Sequence, residues 1–166
     1  MNGPTPAPGA QVRVVEATTR DQRLASLAVR WEVFVVEQGC PLVLEIDARD
    51  MRDDVVHLNA VDPSGLTVGT CRIIPDAPGR YHLGRIAVLA GHRGRRVGAA
   101  LVEAMHAAIA ARTPVGGSAL VLLDAQVRAR GFYEALGYAI TSGEVFMDAG
   151  IEHVEMARSI EGTLSR

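Results

Sequence analysis

The sequence has little of several features that mark large classes of protein. Its formal net charge is only −2 over 166 residues, so it lacks the bulk positive charge of a general nucleic-acid binder. It has two cysteines, Cys40 and Cys71, without metal-ligand spacing, and we expect neither a disulfide nor a metal site. No apolar run approaches the roughly 20 residues that cross a bilayer. We therefore expect a cytoplasmic chain that binds neither nucleic acid nor membrane.

The composition is that of one globular domain. Hydrophobic residues make up 48% and charged residues 22% of the chain, which is sufficient for a sizeable core. Residues 1–10 contain no apolar signal-peptide segment, and we predict that they form a disordered tail. No repeat or long linker interrupts residues 11–166, which are predicted to form the single domain.

Apolar periodicity predicts the elements of the first part of the chain. A strand is expected at 11–17, and Thr19 with Gln22 forms the capping-box pattern that opens a helix. Apolar residues then recur at helical spacing and are expected to face the core: Leu24, Leu27, Ala28, Trp31, Phe34 and Val35. Gly39 and Pro41 end this helix. Segment 42–54 is predicted to be an irregular, acidic loop.

The rest of the chain alternates strands and helices. We predict a hairpin from strands at 55–61 and 66–74, a turn at 75–79 and a third strand at 81–89. A long helix follows, with a buried stripe of Val97, Leu101, Val102, Met105 and Ile109. A wholly apolar strand at 119–123 is expected to be covered on both faces. A short helix with an apolar face at Ala129, Phe132, Tyr133 and Leu136 precedes final strands at 138–145 and 151–159.

This order of elements defines the expected fold class. It reads as strand and helix, three strands, helix, strand, helix and two strands. We predict an α/β (α+β) domain with a mixed, mostly antiparallel sheet flanked by helices.

A loop rich in arginine and glycine stands immediately before the long helix. The stretch GHRGRRVG starts at residue 91. The first N–H groups of a helix lack intrahelical acceptors, and the helix dipole adds positive charge there. Glycine permits close approach of a ligand, so the loop suits a phosphate or pyrophosphate, although a solvated basic turn is the alternative. The loop has no lysine for a Walker motif, and its glycines lack the dinucleotide-binding spacing.

The stretch RIAVLAGHRGRRVGAALV resembles the acetyl-coenzyme A motif of the GNAT superfamily of N-acetyltransferases. In that family a strand leads into Arg/Gln-x-x-Gly-x-Gly/Ala and a helix. Arg93 takes the first place and Gly98 the last, while Arg96 stands where a glycine is usual. Helical φ and ψ are open to arginine, and we expect Arg96 to adopt them. A later GNAT motif, Phe-Tyr-x-x-x-Gly-Phe/Tyr, is matched by Phe132, Tyr133, Gly137 and Tyr138.

The resemblance extends from about residue 12 onward, to a small bacterial branch whose substrates are poorly defined. It implies transfer of an acetyl group from acetyl-CoA to a primary amine of a small molecule or protein, by direct attack on the thioester. The pantetheine arm would pair with Ile86, Ala87 and Val88 as an added strand. The pyrophosphate would meet the amides of Arg93, Gly94, Arg95, Arg96, Val97, Gly98 and Ala99, and Gln126 would contact the pantetheine. Family members also commonly form homodimers.

Roles in catalysis follow from the same resemblance. Tyr133 is the expected general acid, because a phenol with a pKa near 10 can protonate a departing thiolate with a pKa near 8.5; a packing role is the alternative. A backbone N–H near Val88 would stabilise the oxyanion. The candidate bases are Glu45, Asp47, His153 and, more weakly, His57; for His153 a satisfied core histidine is the alternative. In the family the segment of Glu45 and Asp47 borders the acceptor cleft, where acids would attract a cationic amine; a solvated loop is the alternative.

Two other functions remain open. Acyl-homoserine-lactone synthases share the expected fold, and their N-terminal pattern is similar to the arrangement of Arg30, Phe34, Glu45, Asp47, Asp50 and Arg72. The second alternative is a non-catalytic sensor that binds acetyl-CoA. It is suggested by the arginine at position 96 and by the absence of an unambiguous base.

Overall fold

The computed structural model describes residues 11–165, and the predicted tail at 1–10 lies outside them. The described residues divide into two compact units. The first unit contains residues 11–72 and 85–104, and the second contains residues 73–84 and 105–165. That residues 11–166 act as one domain stays a prediction.

The first unit is built on strands in the order β1-β2-β3-β4. β1 (Arg13–Glu16) pairs antiparallel with β2 (Val56–Val61). β3 (Thr67–Ala77), β4 (Arg80–Val88) and α3 (Val97–Ala110) contribute residues to both units. Its other helical segments are α1 (Arg20–Arg30), a π-helix (Trp31–Glu37), α2 (Leu42–Glu45), and 3₁₀ turns at Ala48–Met51 and Ala90–His92.

The second unit continues from its parts of β3 and β4 in the order β3-β4-β5-β7-β6. Its remaining elements are β5 (Ser118–Gln126), a 3₁₀ turn (Val127–Ala129), α4 (Arg130–Ala135), β6 (Ala139–Asp148) and β7 (Ile151–Glu161). β4 and β5 run parallel, with Leu83 opposite Leu123. β7 is antiparallel to both of its neighbours. The predicted fold class, with a mixed sheet and flanking helices, is confirmed.

The first helix begins as predicted but buries a partly different face. The capping box is present, since the Thr19 hydroxyl accepts a bond from the Gln22 N–H at 3.2 Å. The buried residues of α1 and the π-helix are Ser26, Val29, Arg30 and Val33, whereas Leu24 and Trp31 are 52% and 46% exposed. The predicted face was therefore only partly right. Phe34 packs against the buried Val29 and Val33, but polar bonds, such as Ser26 Oγ to Asn59 Oδ1 at 2.6 Å, turn a partly polar face inward.

Several local predictions were also wrong. Segment 42–54 is not irregular, because it contains α2 and a 3₁₀ turn capped by the Asp47 carboxylate. β3 continues to Ala77, through part of the predicted turn. β5 is not covered on both faces, since Leu120 is 43% exposed. α4 has no fully buried residue, and Phe132 lies 39% exposed on it.

The buried stripe of α3 is confirmed. All five predicted residues are at most 3% exposed: Val97, Leu101, Val102, Met105 and Ile109. Gly69 on β3 lets α3 approach closely, because a Cβ there would lie 3.0 Å from Leu101 Cδ1 and 3.2 Å from the Ala87 carbonyl oxygen. This packing sets the start of α3 beside the end of β4, where the arginine-glycine loop joins them.

Candidate active site

The arginine-glycine loop brings a strand end to a helix start within a few residues. The Leu89 N–H donates to the Val68 carbonyl at 2.9 Å, which ties the chain beyond β4 to β3. The Ala100 N–H donates to the Arg96 carbonyl at 2.9 Å. The N–H groups of Val97, Gly98 and Ala99 precede that bond in the first turn of α3, where a helix leaves its donors without intrahelical acceptors. These donors suit an anionic group.

The loop has a left-handed backbone at two places. Gly94 has φ +73° and Arg96 has φ +59°. The expectation of helical φ and ψ at Arg96 was therefore wrong: the loop keeps a glycine-type conformation with an arginine in it. A Cβ at Gly91 or Gly94 would meet nothing within 4 Å, so the backbone there is open to a ligand. The backbone and donor set thus fit a diphosphate.

The three arginines of the loop have different surroundings. Arg93 forms a bidentate ion pair with the Glu37 carboxylate at 2.6 and 2.7 Å, and its Nε donates to the Val88 carbonyl at 3.0 Å. Its side chain therefore fastens the loop to the π-helix and to β4. Arg96 lies 3.7 Å from Glu103. Arg95 lines a cavity of about 430 Å³, whose wall also includes Gln11, Val12, Asp62, Pro63, His92, Gly94 and Val97.

The strand that leads to the loop is anchored in the core. Ala87 is 2% exposed and clusters with Val29 and Val33, against which Leu89 also packs. Within β4, Arg85 has the left-handed φ of +53°. Such strain in a non-glycine residue persists only where the surroundings impose it. The Arg85 side chain contacts the Glu45 carboxylate and the carbonyls of Leu44 and Glu45.

Arg30 is the centre of a buried ionic cluster in the first unit. The side chains of Arg30, Glu45 and Asp50 are each at most 4% exposed. Arg30 Nε donates to Glu45 Oε1 at 2.6 Å, and Arg30 Nη1 donates to Asp50 Oδ1 at 2.7 Å. Each acid is thus matched by a guanidinium, which offsets the desolvation of both charges.

Two further arginines complete this cluster. Arg72 donates to Asp50 Oδ1 at 2.8 Å and to Asp47 Oδ2 at 2.9 Å. Arg85 Nε donates to the Glu45 carbonyl at 3.0 Å and lies 3.2 Å from Glu45 Oε2, while its Nη2 donates to the Leu44 carbonyl at 2.9 Å. We call Arg30, Glu45, Asp47, Asp50, Arg72 and Arg85 the ionic cluster. It brings the predicted residues Glu45 and Asp47 together.

Burial and charge pairing shift the pKa values of the three acids of the ionic cluster, and burial shifts the pKa of His57. Burial raises the pKa of Asp50, but the bonds and charges of Arg30 and Arg72 outweigh it and hold that pKa at about 2. The pKa of Asp47 likewise falls below its usual value, because Arg72 and Arg49 outweigh desolvation. For Glu45 burial dominates and raises the pKa despite Arg85 and Arg30. Burial, with Arg23 nearby, lowers the pKa of His57 to about 4.

Tyr133 belongs to an aromatic group in the second unit. Its ring meets Phe132 edge to face at 5.0 Å between centroids, and Tyr138 at 6.0 Å. Tyr138 is buried, and its hydroxyl lies 2.7 Å from His106 Nε2. Arg158, which can only donate, approaches His106 Nδ1 at 3.4 Å. This contact assigns the His106 proton to Nε2, as the donor to Tyr138.

His153 also lies in the second unit, with a defined tautomer. Its Nδ1 lies 2.8 Å from the Ile151 carbonyl, which can only accept. In the neutral ring Nδ1 therefore carries the proton, and Nε2 keeps its lone pair. Phe146 stacks on the imidazole at 5.8 Å. Gln126 stands opposite His153 in the β5–β7 register.

Sequence reasoning missed two residues of this arrangement. Arg85 and Glu37 hold the strand and the loop. Arg85 is the first residue of the stretch that resembles the acetyl-CoA motif, but no role was predicted for it or for Glu37. For Glu37 only the general preference of arginine for carboxylates gives a signal. For Arg85 the left-handed φ is visible only in the structure.

The part of the chain that the structure describes contains neither a candidate metal site nor a candidate membrane-spanning helix. Over residues 11–165 no three His, Cys, Asp or Glu side chains are grouped to hold a metal ion. No helix in that range combines the length and apolar character needed to span a membrane.

Comparison with known proteins gives a consistent result. The family model described as "Acetyltransferase (GNAT) domain" matches residues 34–160. The chain is 35% identical to the uncharacterized N-acetyltransferase YjcF of Bacillus subtilis over 150 residues, covering 89% of this chain and 99% of that protein. The crystal structure of Escherichia coli ElaA has a TM-score of 0.77 at 29% identity and covers 89% of this chain and 99% of its own. An acyl-CoA N-acyltransferase from Pseudomonas aeruginosa has a TM-score of 0.74 at 28% identity, with the same coverage.

Proposed function

Because the chain belongs to the GNAT acetyltransferase family, we propose that it transfers the acetyl group of acetyl-CoA to a primary amine of a small molecule or protein. The observation that carries the proposal is the loop between β4 and α3. Its left-handed Gly94 and Arg96 lead directly into the first turn of α3, where unpaired N–H groups suit a diphosphate.

Binding of the cosubstrate is proposed as the family resemblance implies it. Ile86–Val88 pairs with the pantetheine arm through backbone groups. The amides from Gly94 to Ala99 hold the diphosphate, since the Arg93 N–H, also expected to contribute, donates to the Ala90 carbonyl at 3.3 Å. Gln126 contacts the arm. The Arg93 side chain, which is paired with Glu37, acts by fixing the loop, and Arg95, which lines the cavity together with Gly94, supplies positive charge.

Acetyl-CoA supplies the reactive thioester. The amine nitrogen forms the new C–N bond as the C–S bond breaks. The Val88 N–H stabilises charge on the carbonyl oxygen, and Tyr133 gives its proton to the departing thiolate. The packing of Phe132 and Tyr138 around the Tyr133 ring supports this role, because it restricts the ring to few orientations.

The amine must lose a proton, and we propose His153 Nε2 as the acceptor. Its tautomer leaves that nitrogen unprotonated, as a base requires. Glu45, the other candidate, is bonded to Arg30 and Arg85, so we propose that Glu45 and Asp47 act by shaping the segment beside the acceptor. His153→Gln and Glu45→Gln separate the two: loss of the acid limb of the pH–rate profile in His153→Gln alone supports His153, and its loss in Glu45→Gln alone contradicts the assignment.

Calorimetry with acetyl-CoA, followed by thiol release over an amine panel, tests the function. We expect cosubstrate binding and turnover of at least one amine. Folded protein that takes up no acetyl-CoA would refute the proposal. Binding without turnover on any amine would favour a sensor. A new lactone in lipid extracts of an overexpressing host, detected by mass spectrometry, would favour a lactone synthase.

Replacement of Tyr133 tests the acid directly. Tyr133→Phe keeps the ring but removes the proton, and general-acid contributions are typically about 10²–10⁴-fold. We expect kcat to fall at least about a hundredfold across pH 7 to 9. Tyr81→Phe, which removes a phenol hydroxyl from β4, is the matched control. Unchanged turnover in Tyr133→Phe would contradict the role.

Location and assembly are part of the proposal. We propose a cytoplasmic protein that forms a homodimer and binds neither nucleic acid nor membrane. Sedimentation equilibrium tests the dimer, and a single species at the monomer mass would exclude it.

A further inference from the structure

The acids expected to attract a cationic acceptor are neutralised within the protein. The ionic cluster contains three guanidinium groups and three carboxylates. Each carboxylate contacts at least two arginines: Glu45 contacts Arg30 and Arg85, Asp50 contacts Arg30 and Arg72, and Asp47 contacts Arg72 and Arg49. The cluster is neutral and mostly buried, so it exerts little electrostatic attraction on a second ammonium group of the acceptor.

The same contacts place an apolar surface next to the proposed thioester site. Arg85 immediately precedes Ile86–Val88, and its guanidinium holds the backbone carbonyls of Leu44 and Glu45. The segment that includes α2 therefore lies within the reach of one arginine side chain from the strand that is proposed to carry the pantetheine arm.

That segment presents apolar side chains to solvent. Four of them, which we call the apolar ledge, are substantially exposed: Leu42 at 43%, Val43 at 81%, Leu44 at 52% and Ile46 at 37%. Exposed apolar residues that are scattered singly need no explanation, but these four lie within five residues of one another in the chain, and grouped apolar side chains mark a contact surface. The run is held in place by Arg85, whose left-handed φ of +53° is the strain expected at a functional position.

We propose that the apolar ledge contacts the acceptor, and that the acceptor amine carries a hydrocarbon or aromatic group rather than a second cation. The inference rests on the proposed function and names its substrate class. An acceptor with a second positive charge would gain little here, because the nearby carboxylates are already paired with arginines. An acceptor with an apolar group would bury the ledge and so remove its side chains from water. Each methylene that becomes buried in the transition state raises kcat/KM about fourfold.

Three amines with equal chain length test the proposal. With acetyl-CoA as donor, thiol release is measured for hexylamine, 6-aminohexan-1-ol and 1,6-diaminohexane. For the unmodified protein we expect kcat/KM to fall in that order, with hexylamine at least about tenfold above the diamine, because a terminal hydroxyl or ammonium loses hydration against the apolar ledge and a terminal methyl group does not.

A matched pair of variants locates the preference. Val43→Asp places a charge on the ledge, and Val115→Asp places one at another exposed valine, 64% exposed in the second unit. We expect Val43→Asp to lower the hexylamine-to-diamine ratio at least about tenfold and Val115→Asp to leave it unchanged. Both positions are exposed, so both variants should fold, and circular dichroism checks this.

The outcomes separate this inference from the proposed function. A preference of the unmodified protein for the diamine would overturn the inference and leave the acetyltransferase proposal standing. The same would follow if Val43→Asp and Val115→Asp had equal ratios. Folded protein that releases no thiol with any amine would overturn both proposals.

Discussion

Replacement of Arg96 by glycine measures the strain stored in the arginine-glycine loop. Arg96 has φ +59°, a left-handed conformation that costs an L-residue about 1–2 kcal/mol. Glycine removes that cost but adds about 0.5–1 kcal/mol of backbone entropy to the unfolded state. The ion pair to Glu103 spans 3.7 Å between half-exposed groups and contributes a few tenths of a kcal/mol at most. Arg96→Gly should therefore be neutral to stabilising, by about 0–1.5 kcal/mol.

Arg95→Gly is the control. It removes the same side chain and charge from the adjacent position, which is not left-handed, so the entropy and charge terms of the two variants nearly cancel. Urea unfolding should show Arg96→Gly to be more stable than Arg95→Gly by about 1–2 kcal/mol. For a chain of this size that difference is about 2–8 °C in Tm. Equal unfolding free energies for the two variants would refute the claim of strain.

Three further predictions concern stability. Arg30→Leu removes one of the two arginine partners of Glu45 and of Asp50 and leaves a buried excess of negative charge, which should cost about 3–5 kcal/mol in thermal unfolding, whereas Arg52→Leu, in an exposed pair, should cost less than about 1 kcal/mol. Burial and Arg158 lower the pKa of His106 to about 4. The unfolded state therefore binds more protons than the folded state between about pH 6.5 and 4, and the free energy of unfolding falls as pH falls through that range. Urea unfolding of His106→Gln at several pH values should show a shallower fall, and an unchanged dependence of the unfolding free energy on pH would contradict the shift. Gly137→Ala should cost at least about 1 kcal/mol more than Gly143→Ala, because both positions have positive φ but only at Gly137 does a Cβ approach a guanidinium, that of Arg158, at 3.1 Å; equal losses in calorimetric scans would be evidence against that contact.

The sequence was sufficient to predict the structure where the apolar pattern or a motif is unambiguous. The stripe of α3 is entirely apolar, so its period identified the buried face without error. The order of strands and helices followed from the same kind of pattern. The arginine-glycine loop was located by motif, because a helix start with unpaired donors is set by local chain geometry.

Prediction failed where polar contacts between distant residues decide the structure. α1 turns Arg30 inward because Glu45 and Asp50 meet it there, whereas an arginine is almost never fully buried unless it is paired. The conformation of Arg96 was missed for a related reason. Local preference favours helical φ and ψ for arginine, but the path from β4 into α3 imposes a left-handed turn.

Trp31 is the only tryptophan of the chain, and it stands where α1 passes into the π-helix, 46% exposed. Its neighbour Arg30 belongs to the ionic cluster. The same π-helix ends at Glu37, which forms an ion pair with Arg93 of the arginine-glycine loop. One native fluorophore therefore sits on the segment that joins these two features. Its emission and its quenching by iodide offer a label-free optical signal for titrating ligands, without any engineered dye.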